Sequence, residues 1–324
     1  MTSAAQSAPA GIVMPTFSLP HVASKGAPSA SRPARIVAAG IVSETVYRKP
    51  DPHLAGVVTG EYQGWKESSA EVVRRREVPD CAIPFIINFG TRFRVLDPNR
   101  PADGPQTLGT FVAGMYDSFV VVESYGDSCC IQVNFTLLGA RLFFQLPLCE
   151  LSNRVVGLDE LYGDQAAHAV DALAEAGNWD RRFDVLEALI LQRIASAKPP
   201  RREIQWAWRL MQARNGNPEI GALARELGWS HKHLIAQFRD QLGAPPKYLA
   251  RVLRFQRAIE AIDNRRPIRW AELALSCGYF DQSHMIREFR QLAGCTPEGY
   301  VGFRLSYGGV SAGPASQSEN STSR

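Results

Sequence analysis

Two segments in the C-terminal third repeat the same residue pattern about 50 positions apart. The equivalent pairs are Leu223 and Leu273, Gly228 and Gly278, Phe238 and Phe289, Gly243 and Gly294, and Pro246 and Pro297. The first two pairs are separated by 50 residues and the last three by 51, so the second copy holds one extra residue. We place that residue in the turn or at the start of the following helix. This part of the chain must therefore fold into two similar units.

Each copy has the residues of two helices joined by a tight turn. A small residue lets the two helices cross closely, and a glycine tolerates the positive φ of a short turn. A residue with a short polar side chain then caps the second helix. These positions are Ala224, Gly228 and Ser230 in the first copy and Ala274, Gly278 and Asp281 in the second. The pattern predicts two helix-turn-helix units.

The second helix of each unit has an apolar side and a polar side. Leu234 and Phe238 are four residues apart, as are Met285 and Phe289, so each pair faces inward. The opposite side presents Lys232, Ile235, Ala236 and Arg239 in one copy, and Gln282, Ser283, His284 and Arg287 in the other. Such side chains donate hydrogen bonds to base edges and phosphates in a major groove. A duplicated helical hairpin with solvated polar faces is the structural alternative.

Charge is divided unevenly along the chain. Residues 201–304 hold 17 Lys and Arg against 10 Asp and Glu, a net charge of +7. Residues 1–200 have a net charge of −3, and the whole chain has +4. A basic C-terminal third favours a polyanionic partner for that part alone, although an incidental surface imbalance gives the same count.

Residues 204–305 resemble the DNA-binding domain of the AraC/XylS family of bacterial transcription regulators. The strongest match is in the second copy, which reads Ala271-Glu272-Leu273-Ala274, then Gly278-Tyr279-Phe280-Asp281-Gln282-Ser283-His284-Met285-Ile286-Arg287-Glu288-Phe289-Arg290, and then Gly294-Cys295-Thr296-Pro297. In that family a long helix joins two units whose second helices enter successive major grooves. The resemblance implies reading helices at about 230–241 and 281–291, joined by a helix over about 245–263.

The resemblance also implies which residues contact DNA. They are Ser230, His231, Lys232, Ile235, Ala236, Arg239, Asp281, Gln282, Ser283, His284, Arg287 and Arg290. The first copy departs from the family pattern, since Ala236 occupies a position where Arg is common and Leu249 one where an aromatic residue is common. Base readout is therefore expected to depend more on the second unit.

The N-terminal part has a different pattern. Short runs rich in Val, Ile, Phe and Tyr, separated by turn residues such as Tyr125-Gly126-Asp127, predict strands at 83–89, 91–96, 119–125 and 131–135. This spacing favours an antiparallel, cupin-like barrel or a sandwich. Helices are predicted at 158–161, 165–176 and 181–197, and Pro199 and Pro200 end the last of them. The expected fold class is α+β, with a β-rich domain and trailing helices before an all-α domain.

These patterns predict four segments. Residues 1–34 and 307–324, rich in small and polar residues, are expected to be disordered. Residues 35–199 form a β-rich sensor or dimerisation domain, and residues 200–306 form the DNA-binding domain. No apolar run of membrane-spanning length and no secretory signal is present, so we expect a cytoplasmic protein without a membrane partner.

Other chemistry was weighed at several positions. Cys129 and Cys130 show no activating partner, and the two histidines His231 and His233 point apart on a helix, so neither catalysis nor a metal site is predicted. His284 is left open between a DNA contact and a cap of its own helix. The run Arg74-Arg75-Arg76 is interpreted as a solvated strand end, with a phosphate contact as the alternative.

The sequence as a whole indicates a sequence-specific transcription regulator that needs no cofactor and is not an enzyme. Its expected partner is double-stranded promoter DNA, with RNA polymerase, an unidentified small-molecule effector and a second copy of the chain as further candidates. Two alternatives remain open. One is an N-terminal small-molecule or cysteine-based enzyme with a regulatory helical domain, and the other is an interaction module that binds an acidic protein.

Overall fold

A computed structural model describes residues 31–38, 41–216, 219–262, 267–303 and 310–311. The strands are β1 Arg32–Ala38, β2 Ile41–Arg48, β3 Val58–Glu77, β4 Ala82–Asn88, β5 Phe93–Leu96, β6 Gln106–Leu108, β7 Phe111–Ala113, β8 Val120–Thr136, β9 Val155–Gly157 and β10 Val310–Ser311. The N-terminal helices are α1 Leu137–Phe144, α2 Leu158–Tyr162, α3 Asp164–Glu175 and α4 Trp179–Ala195. The C-terminal helices are α5 Arg202–Ala213, α6 Ile220–Glu226, α7 His231–Leu242, α8 Pro246–Ala261, α9 Trp270–Ser276, α10 Gln282–Ala293 and α11 Pro297–Phe303. This order confirms the predicted fold class.

All strand pairs of the N-terminal sheet are antiparallel, and its main path runs β1-β2-β3-β8-β4-β7-β9. The long strands β3 and β8 pair with each other, with register shifts between Thr59 and Gln63 and between Ser69 and Val73. Such irregularities bend a strand and raise its twist, so the sheet curves into a barrel-like shape.

One strand replaces the two that the sequence predicts at 119–125 and 131–135. The intervening Gly126 was expected to form a turn, yet it pairs with Ser69 inside β8. Its φ of 71° lies in the region that favours glycine, so the chain bends there without leaving the ladder. The turn residues correctly indicate a positive φ at Gly126, but the prediction that the strand ends there is wrong.

The two faces of this curved sheet have different surroundings. Residues such as Phe85 and Phe135 point outward onto the helices, where their rings pack against Phe143 and Phe144 with centroids 4.6 to 5.8 Å apart. The alternate residues, including Pro84 and Asn134, line a cavity inside the curve. Period-2 alternation along the strands therefore separates a packed face from a cavity-lining face.

Helix α4 covers the packed face as its apolar stripe predicts. Phe183, Leu186, Leu189 and Ile190 are buried, and Ile194 is partly buried. The sequence pattern did not indicate Arg48, which is buried on β2 and forms ion pairs with Asp184 at 2.5 Å and Glu187 at 3.0 Å on α4. These ion pairs fasten the sheet to the helical layer.

The hydrophobic core continues from the β-rich domain into the first helix-turn-helix unit. Phe143 and Leu148 belong to the same buried cluster as Trp208, Phe238 and Leu249. The second unit has its own cluster, which includes Phe255, Ala274, Met285, Phe289 and Leu292. The first unit is therefore packed as part of the N-terminal body, and the second is attached to it by other contacts.

The ends of the chain lie mostly outside the described residues. Strand β1 begins at Arg32, inside the segment that the sequence predicts to be disordered, and Val310 and Ser311 of the C-terminal tail pair with β3. Among the described helices, none combines the length and the apolar character needed to cross a bilayer.

Candidate nucleic-acid interface

The two helix-turn-helix units have the same backbone in their turns. Gly228 and Gly278 have φ values of 65° and 85°. The N–H of the residue that follows each glycine donates to the carbonyl of the small residue that the sequence places at the crossing, Trp229 to Ala224 and Tyr279 to Ala274, each at 2.9 Å. The repeat observed in the sequence is therefore a repeat of backbone hydrogen bonds.

The extra residue of the second copy is Phe280. It lies in the turn between Tyr279 and the N-cap residue Asp281, and 85% of its side chain is exposed. Phe280 is not among the predicted contact residues, and the change of spacing from 50 to 51 residues is the signal in the sequence that marks it. An exposed aromatic ring beside the N-terminus of a reading helix is placed to contact a DNA backbone or a thymine methyl group.

The predicted reading helices correspond to α7 and α10. The ends of α7 lie within one residue of their predicted positions, and those of α10 lie within two. Leu234, Phe238, Met285 and Phe289 are fully buried on their inner sides. On the outer sides, His231, Lys232, Ala236, Arg239, Gln282, Ser283, Arg287 and Arg290 are exposed, while Ile235 and His284 are partly buried. The structure thus brings the predicted contact residues to the outer faces of two equivalent helices.

Three of the predicted contact residues also cap their own helices. The Ser230 side chain accepts from the backbone N–H of His233, and Asp281 accepts from that of His284. The Nδ1 atom of His284 lies 3.3 Å from the backbone nitrogen of Phe280, and its ring contacts Tyr279 edge-on at 5.5 Å. Of the two roles left open for His284, this geometry is that of the cap.

Positive charge on the outer faces is not neutralised within the protein. Lys232, Arg239, Arg287 and Arg290 are exposed, and none of them forms an ion pair with another described residue. Cations held without a carboxylate partner remain free to neutralise phosphates or to reach base edges. The outer faces therefore suit a polyanion.

Helix α8 holds the second reading helix through buried charges. On α10, the Glu288 carboxylate accepts from Arg251 Nε at 2.9 Å and lies 3.3 Å from an Arg254 nitrogen. Arg254 also donates to the Gly216 carbonyl at 3.1 Å, and Phe255 packs edge-on against Phe289 with centroids 4.8 Å apart. Both arginines are on α8, so this helix fixes the orientation of α10.

The N-terminal domain contacts the C-terminal end of each reading helix. At α7, Ser152 donates to the carbonyl of the C-cap residue Gly243, and Leu148 lies against the same glycine. At α10, Arg76 donates to the Ala293 carbonyl at 2.6 Å, and the Phe119 ring lies against Gly294. Both reading helices are thus anchored to one body at their ends.

The interpretation of Arg74, Arg75 and Arg76 as a solvated strand end is wrong. Arg74 forms an ion pair with Glu123 at 2.6 Å, and Arg75 forms one with Glu67 at 2.5 Å. The Arg76 guanidinium stacks on Phe119 at 4.5 Å while it donates to α10. The run is polar in sequence, but its partners are distant in the chain or eight residues away on the same strand, and the local pattern does not indicate them.

Cysteine chemistry receives no support from the site geometry. Burial raises the pKa of Cys81, Cys130, Cys149, Cys277 and Cys295. A raised pKa keeps a thiol protonated and unreactive. Within the described ranges, no group of three or more His, Cys, Asp or Glu side chains could hold a metal ion.

These geometries define a DNA-binding domain built from two helix-turn-helix units. Comparison with known families agrees, since a family described as a helix-turn-helix domain matches residues 223–302. The matched range covers both units, and the matched domain is of the AraC type, in agreement with the resemblance of residues 204–305 to the AraC/XylS family. No protein with a curated function matches the sequence.

The solved structures found by comparison have low structural and sequence similarity to this chain. ToxT from Vibrio cholerae is 11% identical with a TM-score of 0.44, over 74% of this chain and 97% of that one. Wild-type ToxT from strain SCE256 with a bound unsaturated fatty acid is 10% identical with a TM-score of 0.42, over 74% and 94%. A cupin 2 conserved barrel domain protein from Rhodopseudomonas palustris is 11% identical with a TM-score of 0.21, over 36% and 80%.

Replacement of Glu288 by Ala should destabilise the second unit. It leaves two arginines without their buried partner, and breaking such a pair costs about 3 kcal/mol of unfolding free energy. The control Glu272→Ala removes the exposed ion pair with Arg269, whose side chains are 68% and 77% exposed, and should change stability by at most about 0.5 kcal/mol. Urea titration followed by circular dichroism measures both, and equal losses would contradict the role given to Glu288.

Proposed function

We propose that this protein is a sequence-specific transcription regulator that binds promoter DNA with α7 and α10 in successive major grooves. The observation that supports it most directly is the pair of equivalent helices whose outer faces carry cations without internal partners. If the two helical hairpins were only structural, nothing would require their turns to share the same backbone hydrogen bonds. We further propose that it acts in the cytoplasm together with RNA polymerase.

The distance between the reading helices is set by α8 in this proposal. Its 16 residues span about 24 Å, and α7 and α10 lie beyond its two ends. Successive major grooves on one face of DNA are ~34 Å apart, so reading helices attached at the two ends of such a rod can each enter a groove. The Glu288 network keeps α10 in a fixed direction on that rod.

Base readout is assigned chiefly to the second unit. Gln282, Ser283 and Arg287 occupy the exposed N-terminal half of α10, and Gln and Arg pair with adenine and guanine edges. In the first unit Lys232 and Arg239 are exposed, while the small Ala236 offers only apolar contact. We propose that α7 contributes affinity through phosphates and that α10 contributes most of the specificity.

The N-terminal domain is proposed to be a sensor for a small-molecule effector. Its curved sheet encloses a cavity of about 620 Å³, within the range of small-molecule sites. The same domain contacts the ends of both reading helices. A ligand that favours one arrangement of the cavity walls would therefore shift the orientation of α7 and α10.

A mobility-shift assay with the DNA upstream of the gene tests the proposal. We expect a shifted band that survives excess unrelated DNA and weakens as salt rises, because binding releases cations condensed on the phosphates and this release is less favourable at high salt. Competition by unrelated DNA at equal concentration would reject sequence-specific binding. Absence of any salt-sensitive binding would favour an acidic protein as the partner of the basic face.

Replacement of Arg287 by Ala should weaken specific binding and relax the preference at one base pair. Loss of a bidentate contact to guanine costs about 1–3 kcal/mol. The control is Arg209→Ala, which removes an exposed arginine of α5 outside both reading helices. Affinities measured on the preferred site and on its single-base variants separate the two, and an Arg287 variant that keeps the parent's preference would exclude this residue from base readout.

Insertion of one alanine between Leu253 and Arg254 should uncouple the two units. This point separates Val252, which packs with the first unit, from Phe255, which packs with the second. One residue turns the second unit by about 100° and advances it by about 1.5 Å, so α10 no longer faces its groove. Specific affinity should fall to within about tenfold of the non-specific level, with the salt-sensitive binding kept.

The matched control is the same insertion after Glu260, beyond the α8 residues that hold α10. It lengthens the chain equally, but it leaves the Arg251, Arg254 and Phe255 contacts in place. We expect this control to retain most of the specific affinity. Equal losses in the two insertion variants would contradict the assignment of the spacing to α8.

A further inference from the structure

Part of the wall of the N-terminal cavity comes from the DNA-binding domain. Most of its wall is the inner face of the sheet, with apolar and aromatic residues that include Trp65, Phe93 and Phe111. The remaining wall includes Gln256, Ile259 and Glu260 of α8, and Tyr300 of α11. A molecule inside this cavity would touch both domains at once.

Only some of the ionisable groups that line this cavity form ion pairs or hydrogen bonds with other described residues. Glu67 is paired with Arg75 at 2.5 Å, and Arg76 is engaged by the Ala293 carbonyl and the Phe119 ring. Three further carboxylates line the cavity, namely Glu77, Asp80 and Glu260. None of these three forms an ion pair with another described residue. The cavity therefore carries an excess of negative charge.

Two of these carboxylates face each other across the domain contact. Asp80 follows β3 in the N-terminal domain, and Glu260 is near the end of α8. Burial raises the pKa of Asp80 and the nearby Glu260 charge raises it further, while burial raises that of Glu77. Like charges across an interface weaken it, whereas a cation between them attracts both sides.

We propose that the cavity binds an organic cation, with its ammonium group between Asp80 and Glu260 and its apolar body against Trp65, Phe93 and Phe111. This inference rests on the proposed sensor function and names the chemical class of the effector. A cavity that combines aromatic walls with carboxylates offers the surroundings that an amine with an apolar body requires. A metal ion does not fit, because the described part of the chain brings no three such ligands into metal-binding range.

The bound cation would act on the reading helices through α8. Neutralising the repulsion between Asp80 and Glu260 strengthens the contact between the sensor and α8. The same helix carries Arg251 and Arg254, which hold α10 through Glu288. The amine thereby stabilises the arrangement of the second reading helix that the structure shows.

Isothermal titration calorimetry on the full chain tests the ligand class without DNA. The probes are 2-phenylethylamine, tryptamine and octane-1,8-diamine, each compared with the alcohol of the same body and, for the first two, with phenylacetate and indole-3-acetate. We expect at least one amine to bind about tenfold or more tightly than its alcohol, as a charge-assisted contact requires. The carboxylates should bind more weakly than the alcohols.

The double variant Asp80→Asn with Glu260→Gln should lower the amine affinity about tenfold, to the level of the alcohol. The matched control, Asp171→Asn with Glu175→Gln, removes the same charge from the exposed face of α3 and should bind the amine like the parent. Amines that bind no better than their alcohols, tighter binding of the carboxylates, or a double variant that binds like the parent would overturn the proposal. Failure of the mobility-shift assay would instead reject the DNA-binding function and leave these titrations unaffected.

Discussion

The contact between Glu288 and the two arginines of α8 is the interaction on which the proposed DNA-binding surface depends. It joins α10 to α8 through a carboxylate that is only 8% exposed, and the Phe255 and Phe289 rings pack beside it. A charge buried in this way tolerates little displacement, because each shift leaves a partner unsatisfied. The arginines inside the domain are therefore structural, while those on the outer faces remain available to DNA.

Anchoring at both reading helices makes the N-terminal domain part of the DNA-binding geometry. The first unit shares the main hydrophobic core with the sheet domain, and its helix α7 ends at a glycine that Ser152 holds. The second unit has a separate core and is held at the Ala293 carbonyl by Arg76, a residue that also lines the cavity. In the proposed mechanism, the second unit is therefore the one whose position a ligand in the cavity would change.

The sequence predicted most of the DNA-binding domain and less of the rest. The repeat located both turns, both N-caps and the inward residues Leu234, Phe238, Met285 and Phe289, because these follow from local spacing and helix periodicity. The local sequence pattern did not indicate the roles of Arg76 and Glu288, because their partners are distant in the chain. Gly126 was misread as a turn because a positive φ marks both turns and bends within strands. The predicted domain limits at 34, 199 and 306, like the DNA-contact residues, remain predictions.

Selection of bound sites from random DNA tests the central claim most directly, namely that α8 makes the two units one rigid reader. The account predicts enriched sequences with two short conserved blocks whose centres are separated by about 10 bp, the spacing of successive major grooves on one face. That spacing should be constant among the selected sites, and the block read by α10 should be the more strongly conserved. A single short block, or two blocks at variable spacing, would show that the units bind independently and would contradict the account.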